Sequence, residues 1–117
     1  MNAEVVTKHY LIAALWSSTD EHGEPLDAVY SLDDIAPEAQ AKALEDCADF
    51  IQSCGEALEA LNPEQVGHDF WLTRNHHGTG FWDRGLGALG DHLTKMAQAY
   101  SECDAVIGDD GLIYLEG

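Results

Sequence analysis

An α+β domain, with a small antiparallel sheet of about three strands packed against two or three helices, is the fold class this sequence predicts. Three observations lead there. Apolar residues recur at helical spacing through the first half, and short β-branched or aromatic runs punctuated by glycine turns fill much of the second. The third is length, since 117 residues make one hydrophobic core and no more. With 45% hydrophobic and 9% aromatic residues, the chain has the material for that core, which a disordered acidic tail would lack.

Between Glu4 and Trp16, residues Val5, Val6, His9, Tyr10, Ile12, Ala13 and Trp16 give an apolar face with helical spacing, although their β-branched members leave a strand open. Ser17 to Pro25 is a polar connection, and Leu26 to Leu32 is a short segment of either type that ends at Asp33-Asp34. Pro37 opens the clearest helix, because its missing N–H would be unpaired in a first turn and Glu38 suits the positive helix end. Leu44, Cys47, Ala48, Ile51, Cys54, Leu58 and Leu61 then recur at three- and four-residue steps, so the helix is expected to run to about Leu61, where Asn62-Pro63 stops it. Asp69 to Thr73 reads as a strand, Asn75 to Gly80 as a turn, and Phe81-Trp82 as the start of a second strand. A helix follows from about Leu86 to Tyr100. Gly108-Asp109-Asp110-Gly111 supplies the positive-φ residues of a hairpin turn between Ala105-Val106-Ile107 and Leu112-Ile113-Tyr114-Leu115.

No run approaches the roughly 20 apolar residues that span a bilayer, and Tyr10 to Trp16 lacks the flanks of a signal peptide. Three cysteines, Cys47, Cys54 and Cys103, are odd in number and unpatterned, which predicts buried free thiols in a reducing compartment. Cys47 and Cys54 would lie two helical turns apart, roughly 10 Å along the axis, too far for a bond.

Charge is the strongest signal. Twenty-two acidic residues against five Lys and Arg give a formal net charge of -17. Residues 1 to 65 hold most of it, with only Lys8 and Lys42 to offset it. Such a surface repels nucleic acid and anionic membranes and attracts proteins with basic grooves, divalent cations or basic small molecules. On the long helix, Asp46, Asp49, Glu56 and Glu59, with Glu45 and Glu38 next, recur as carboxylates with little compensation.

Other motifs are weaker. Gly85-Leu86-Gly87-Ala88-Leu89-Gly90 spells GxGxxG before a helix, but no buried strand precedes it, so it reads as close packing of helix on sheet. His68, Asp69, His76, His77, Asp83, Asp91 and His92 fall within 25 residues and have the ligand chemistry of a divalent metal, without a spacing that fixes a geometry. Phe70, Trp71, Phe81 and Trp82 have the makings of a base-stacking platform, which the absence of a basic groove opposes.

The stretch His68-Asp69-Phe70-Trp71-Leu72-Thr73-Arg74-Asn75, followed by His77-Gly78 and Gly80-Phe81-Trp82-Asp83-Arg84, and the terminal Gly108-Asp109-Asp110-Gly111-Leu112-Ile113-Tyr114 resemble small proteins encoded by tailed bacteriophages and prophages. That resemblance implies a phage setting in the host bacterial cytoplasm and carries no catalytic residue with it. The expectation is therefore a non-enzymatic, cofactor-free accessory protein, monomer or dimer, that inhibits a basic nucleic-acid-binding host protein by mimicking nucleic acid. Two rivals stand beside it. One is a small metal-dependent enzyme built on His68, His76, His77 and Asp83; the other is a phage assembly protein that self-associates through the aromatic turn.

Overall fold

A computed structural model describes all residues, 1 to 117. Four helices, α1 (Ala3–Ser17), α2 (Pro37–Cys54), α3 (Pro63–Arg74) and α4 (Ala88–Gln98), precede one hairpin of β1 (Asp104–Ile107) and β2 (Ile113–Glu116). The class is α+β as expected, with more helix and less sheet: two strands in place of three, and four helices in place of two or three. No helix is long and apolar enough to cross a membrane.

Asn2 caps α1 by accepting from the backbone N–H groups of Glu4 and Val5. Helix α1 buries Val6, Tyr10, Ala13 and Ala14, together with Leu11 and Leu15, between α2 and α3. Ile12 and Trp16, placed on the apolar face by spacing alone, are instead exposed.

Helix α3 corrects the expected strand at 69–73. Asn62-Pro63 proves to be the start of this helix as well as the break before it: Asn62 Oδ1 accepts from Glu64 N at 2.8 Å and Pro63 fills the first helical position. Every residue from Asp69 to Arg74 is buried. Over these last six residues the helix is enclosed on all sides, so no polar face marks a helical period and Phe70-Trp71-Leu72 reads equally as a buried strand. Phe81-Trp82 likewise forms a single 3₁₀ turn rather than a strand, fastened where the Phe81 N–H donates to Thr73 Oγ1 at 3.2 Å.

Helix α2 begins at Pro37 as expected but ends at Cys54, seven residues early. Gly55 adopts φ +54°, a left-handed conformation that closes the helix, and a 3₁₀ turn, Gly55–Leu58, follows. The buried face is Ala39, Ala43, Cys47, Phe50 and Cys54, whereas Leu44 and Ala48 lie outside it. Phe50 is the residue that turns the wheel: its ring stacks on Phe70 with centroids 4.1 Å apart, and Tyr10 and Phe81 close around the pair.

The hairpin forms in the expected place, pairing Asp104 with Glu116 through to Ile107 with Ile113. Its second strand is tied to the helices by a one-residue parallel bridge from Ile35, where the Ala36 N–H donates to the Ile113 carbonyl at 2.9 Å. The glycine-rich stretch packs Gly90 of α4 against the 81–83 turn, not against the sheet: a Cβ there would stand 2.9 Å from the Phe81 carbonyl oxygen.

The α1–α3 contact rests on Gly67, where a Cβ would lie 2.1 Å from the Val6 carbonyl oxygen. Gly67→Ala should therefore force the two backbones apart and lower unfolding stability in urea by about 3 kcal/mol or more, the upper range for overpacking. Gly55→Ala, which meets open space and bears only the positive-φ strain, should cost about 1 kcal/mol. Equal losses at the two glycines would contradict this packing.

Candidate functional site

Because α2 turns Ala39, Ala43, Cys47 and Phe50 inward, its outer face presents Glu38, Glu45 and Gln52 to solvent at seven-residue intervals, about 10 Å apart along the axis. Glu56 and Glu59 are also exposed, but they sit on the 3₁₀ turn beyond Gly55 and at its end, so they do not prolong the helical stripe. None of these four glutamates enters an ion pair. The two aspartates of the predicted set behave differently. Asp46 is half-buried and bonds inward, accepting from Arg74 Nη1 at 2.9 Å, with Lys42 Nζ 3.7 Å away. Asp49 is exposed and accepts from the Tyr100 hydroxyl. Burial, with the adjoining Asp49 carboxylate, pushes the Tyr100 phenol well above its usual range.

Sequence reasoning did not find the group that organises this surface from within. Arg74 is 2% exposed, and its guanidinium donates to Asp46, to the Tyr10 hydroxyl at 3.0 Å, and through Nε and Nη2 to the Ser101 carbonyl. The rings of Phe70 and Tyr100 lie 5.8 and 5.4 Å from its central carbon. One cation thus joins α1, α2, α3 and the segment leading into β1. The only signal in the sequence was an arginine ending an apolar aromatic run, in a chain with few cations.

A second arginine is consumed the same way. Asp69, the one buried carboxylate, receives Arg84 Nη2 at 2.8 Å and Nε at 3.1 Å, and Gln65 Nε2 at 3.0 Å. The pair stands beside a cleft of about 320 Å³ that Leu61, Val66 and Phe81 also line. With Arg74, Arg84 and Lys42 all paired internally, only Lys8 and Lys95 remain as unpaired basic side chains.

The histidine and aspartate constellation is not brought together. His68 packs its ring 5.6 Å from Trp16, and burial holds its imidazole below the usual range. His76, two residues past the end of α3, has φ +57° and its Nε2 4.0 Å from Glu102, while Asp83 accepts from the Thr79 hydroxyl at 3.0 Å. His77 lies with Asn75 and Cys103 along a separate cleft, and Asp91 and His92 are exposed on α4. No three His, Cys, Asp or Glu side chains converge on one point as metal ligands would. The aromatic platform is likewise dispersed, since Phe70, Trp71 and Phe81 are core and Trp82 alone is exposed.

No protein-family model matches the chain, and comparison with curated proteins and with solved structures finds no match.

All three cysteines are buried and unbonded, and burial pushes the thiol of Cys47 up to about 12 and that of Cys54 up to about 11. None is poised as a nucleophile. A thiol raised in the folded state stabilises it fully at pH values below the ordinary thiol range and loses that contribution as pH climbs towards 12. Ellman's reagent at pH 8 should accordingly leave folded protein almost unlabelled and titrate three thiols in denaturant; rapid labelling of native Cys47 or Cys103 would contradict the burial.

Proposed function

We propose that this chain is a binding protein, not an enzyme: a phage accessory protein that occupies the basic groove of a host nucleic-acid-binding protein or nuclease complex and shuts nucleic acid out. One observation carries the reading. The chain pairs three of its five Lys and Arg with two of its own carboxylates, Asp46 and Asp69, and leaves the other carboxylates at or near the surface with almost nothing to offset them. A surface selected only for solubility would intersperse both signs, because self-repulsion destabilises the compact state.

Glu38 and Glu45 on α2, with Glu56 and Glu59 past its end, are the contact residues of this proposal, and Asp49 joins them from the same helix. Asp46 contributes to the field but is directed inward by Arg74. A spacing of about 10 Å is sparser than that of duplex phosphates, so the mimicry lies in summed potential rather than in phosphate register. Such a field speeds encounter with a basic groove and discriminates against acidic partners. A phage origin, which the resemblance of His68–Asn75, Gly80–Arg84 and the terminal segment implies, places the partner of this proposal in a bacterial host.

Capture from a bacterial lysate at low salt, with retained proteins identified by mass spectrometry, tests the proposal. Nucleic-acid-binding proteins should be retained, should be released as ionic strength passes physiological values, and should be lost about tenfold or more when Glu38, Glu45, Glu56 and Glu59 are changed together to Lys. Retention of the same proteins by that variant, or indifference to salt, would refute it.

A further inference from the structure

The hairpin has one covered edge and one open edge. Strand β2 meets Ile35 on its outer side, whereas β1 has no neighbour there. The Gly108 N–H donates to the Leu112 carbonyl at 2.8 Å, so the antiparallel alternation places hydrogen-bonded pairs at Val106–Tyr114 and Asp104–Glu116. The N–H and C=O groups of Ala105 and Ile107 therefore point away from β2, and no other segment or side chain bonds them. At the near end the edge is closed, because the Cys103 N–H donates to Asn75 Oδ1 at 2.7 Å.

Along this edge runs a groove, formed by two adjoining clefts of about 420 and 470 Å³ that share Thr19, Ala105 and Val106. Its far wall is the Ser17–His22 connection, itself held in shape by the bridge between Thr19 and Pro25. Asp20 and Glu21 stand on that wall, and Glu102 and Asp104 on the β1 side. Four residues of β1 offer about 13 Å of strand, enough to pair with a short extended segment.

We infer that the open edge of β1 is a docking site for an extended, Lys- or Arg-bearing peptide segment, which adds a third strand to the hairpin in the groove between β1 and residues 17–22. Backbone hydrogen bonds to Ala105 and Ile107 supply the pairing, and carboxylates on both walls select basic side chains. A second copy of this chain is a poor occupant: edge-to-edge pairing would set Glu102 and Asp104 of two strongly acidic molecules against each other. The site is independent of the glutamates around α2 and does not require the mimicry proposed for them.

The probe is a synthetic peptide of about eight residues alternating Val and Lys, titrated into the intact ¹⁵N-labelled chain near physiological salt. Binding should shift the amides of Ala105 and Ile107 most and slow their hydrogen exchange. The same peptide N-methylated at alternate amides keeps its charge but cannot pair, and should bind about tenfold more weakly. Ala105→Pro removes an outward N–H without touching a bond to β2 and should weaken binding to a similar extent; Glu102→Lys with Asp104→Lys should do so through charge. Equal affinity for the N-methylated peptide would overturn the inference even if the proline variant failed to fold. So would a β1-edge dimer of the free chain that the peptide cannot displace. Loss of peptide binding on reversing Glu38 and Glu45, with the Glu102 and Asp104 reversals silent, would overturn it too.

Discussion

Everything else in this molecule depends on the buried guanidinium of Arg74. A charge withdrawn from water is tolerated only when its donors are satisfied, and here a carboxylate, a phenol and a backbone carbonyl meet it from three different parts of the chain. Those partners come from α2, α1 and the segment before β1, so one residue of α3 fixes the mutual positions of all three. Burial keeps the Tyr10 phenol neutral despite the adjacent cation, and Asp46 is drawn off the surface to complete the pair. In a chain this acidic, a central cation also relieves some of the repulsion that the fold must otherwise bear.

That arrangement divides the charged residues into two populations. Arg74, Arg84 and Lys42 hold Asp46 and Asp69 in place, and these groups make structure. The remaining carboxylates have almost no cationic neighbours and make the external field. Glu38, Glu45, Glu56 and Glu59 belong wholly to the second population; Asp46 belongs to the first, although on a helical wheel it is indistinguishable from the others. The open β1 edge presents unpaired backbone groups, directional where the field is not, and flanked by carboxylates of the same uncompensated sort.

Much of this was legible from local chemistry and little from pairing. The hairpin followed from Gly108-Asp109-Asp110-Gly111, the start of α2 from Pro37 and Glu38, and the buried thiols from the count and spacing of the cysteines. The second half of α3 reads as a strand because burial on every side there erases the periodicity by which helices are recognised. Apolar spacing that carries on through Leu58 and Leu61 extends the predicted α2 beyond its true end, because Gly55 breaks the geometry without breaking the pattern. Asp46 and Arg74 lie 28 residues apart and Asp69 and Arg84 15 apart, and no local rule couples residues at those separations. The outward glutamates were visible; which aspartate would be claimed by the interior was not.

The proposed role requires a surface poor in free cations to compete with nucleic acid for a basic groove. Its most direct test takes a nucleic-acid-binding protein captured by this chain and measures whether duplex DNA and the acidic chain can be bound at the same time, across a range of salt. Mutual exclusion, with affinity falling steeply as salt rises, is the predicted result. A ternary complex, with the chain and the DNA bound together at undiminished affinity, would contradict it.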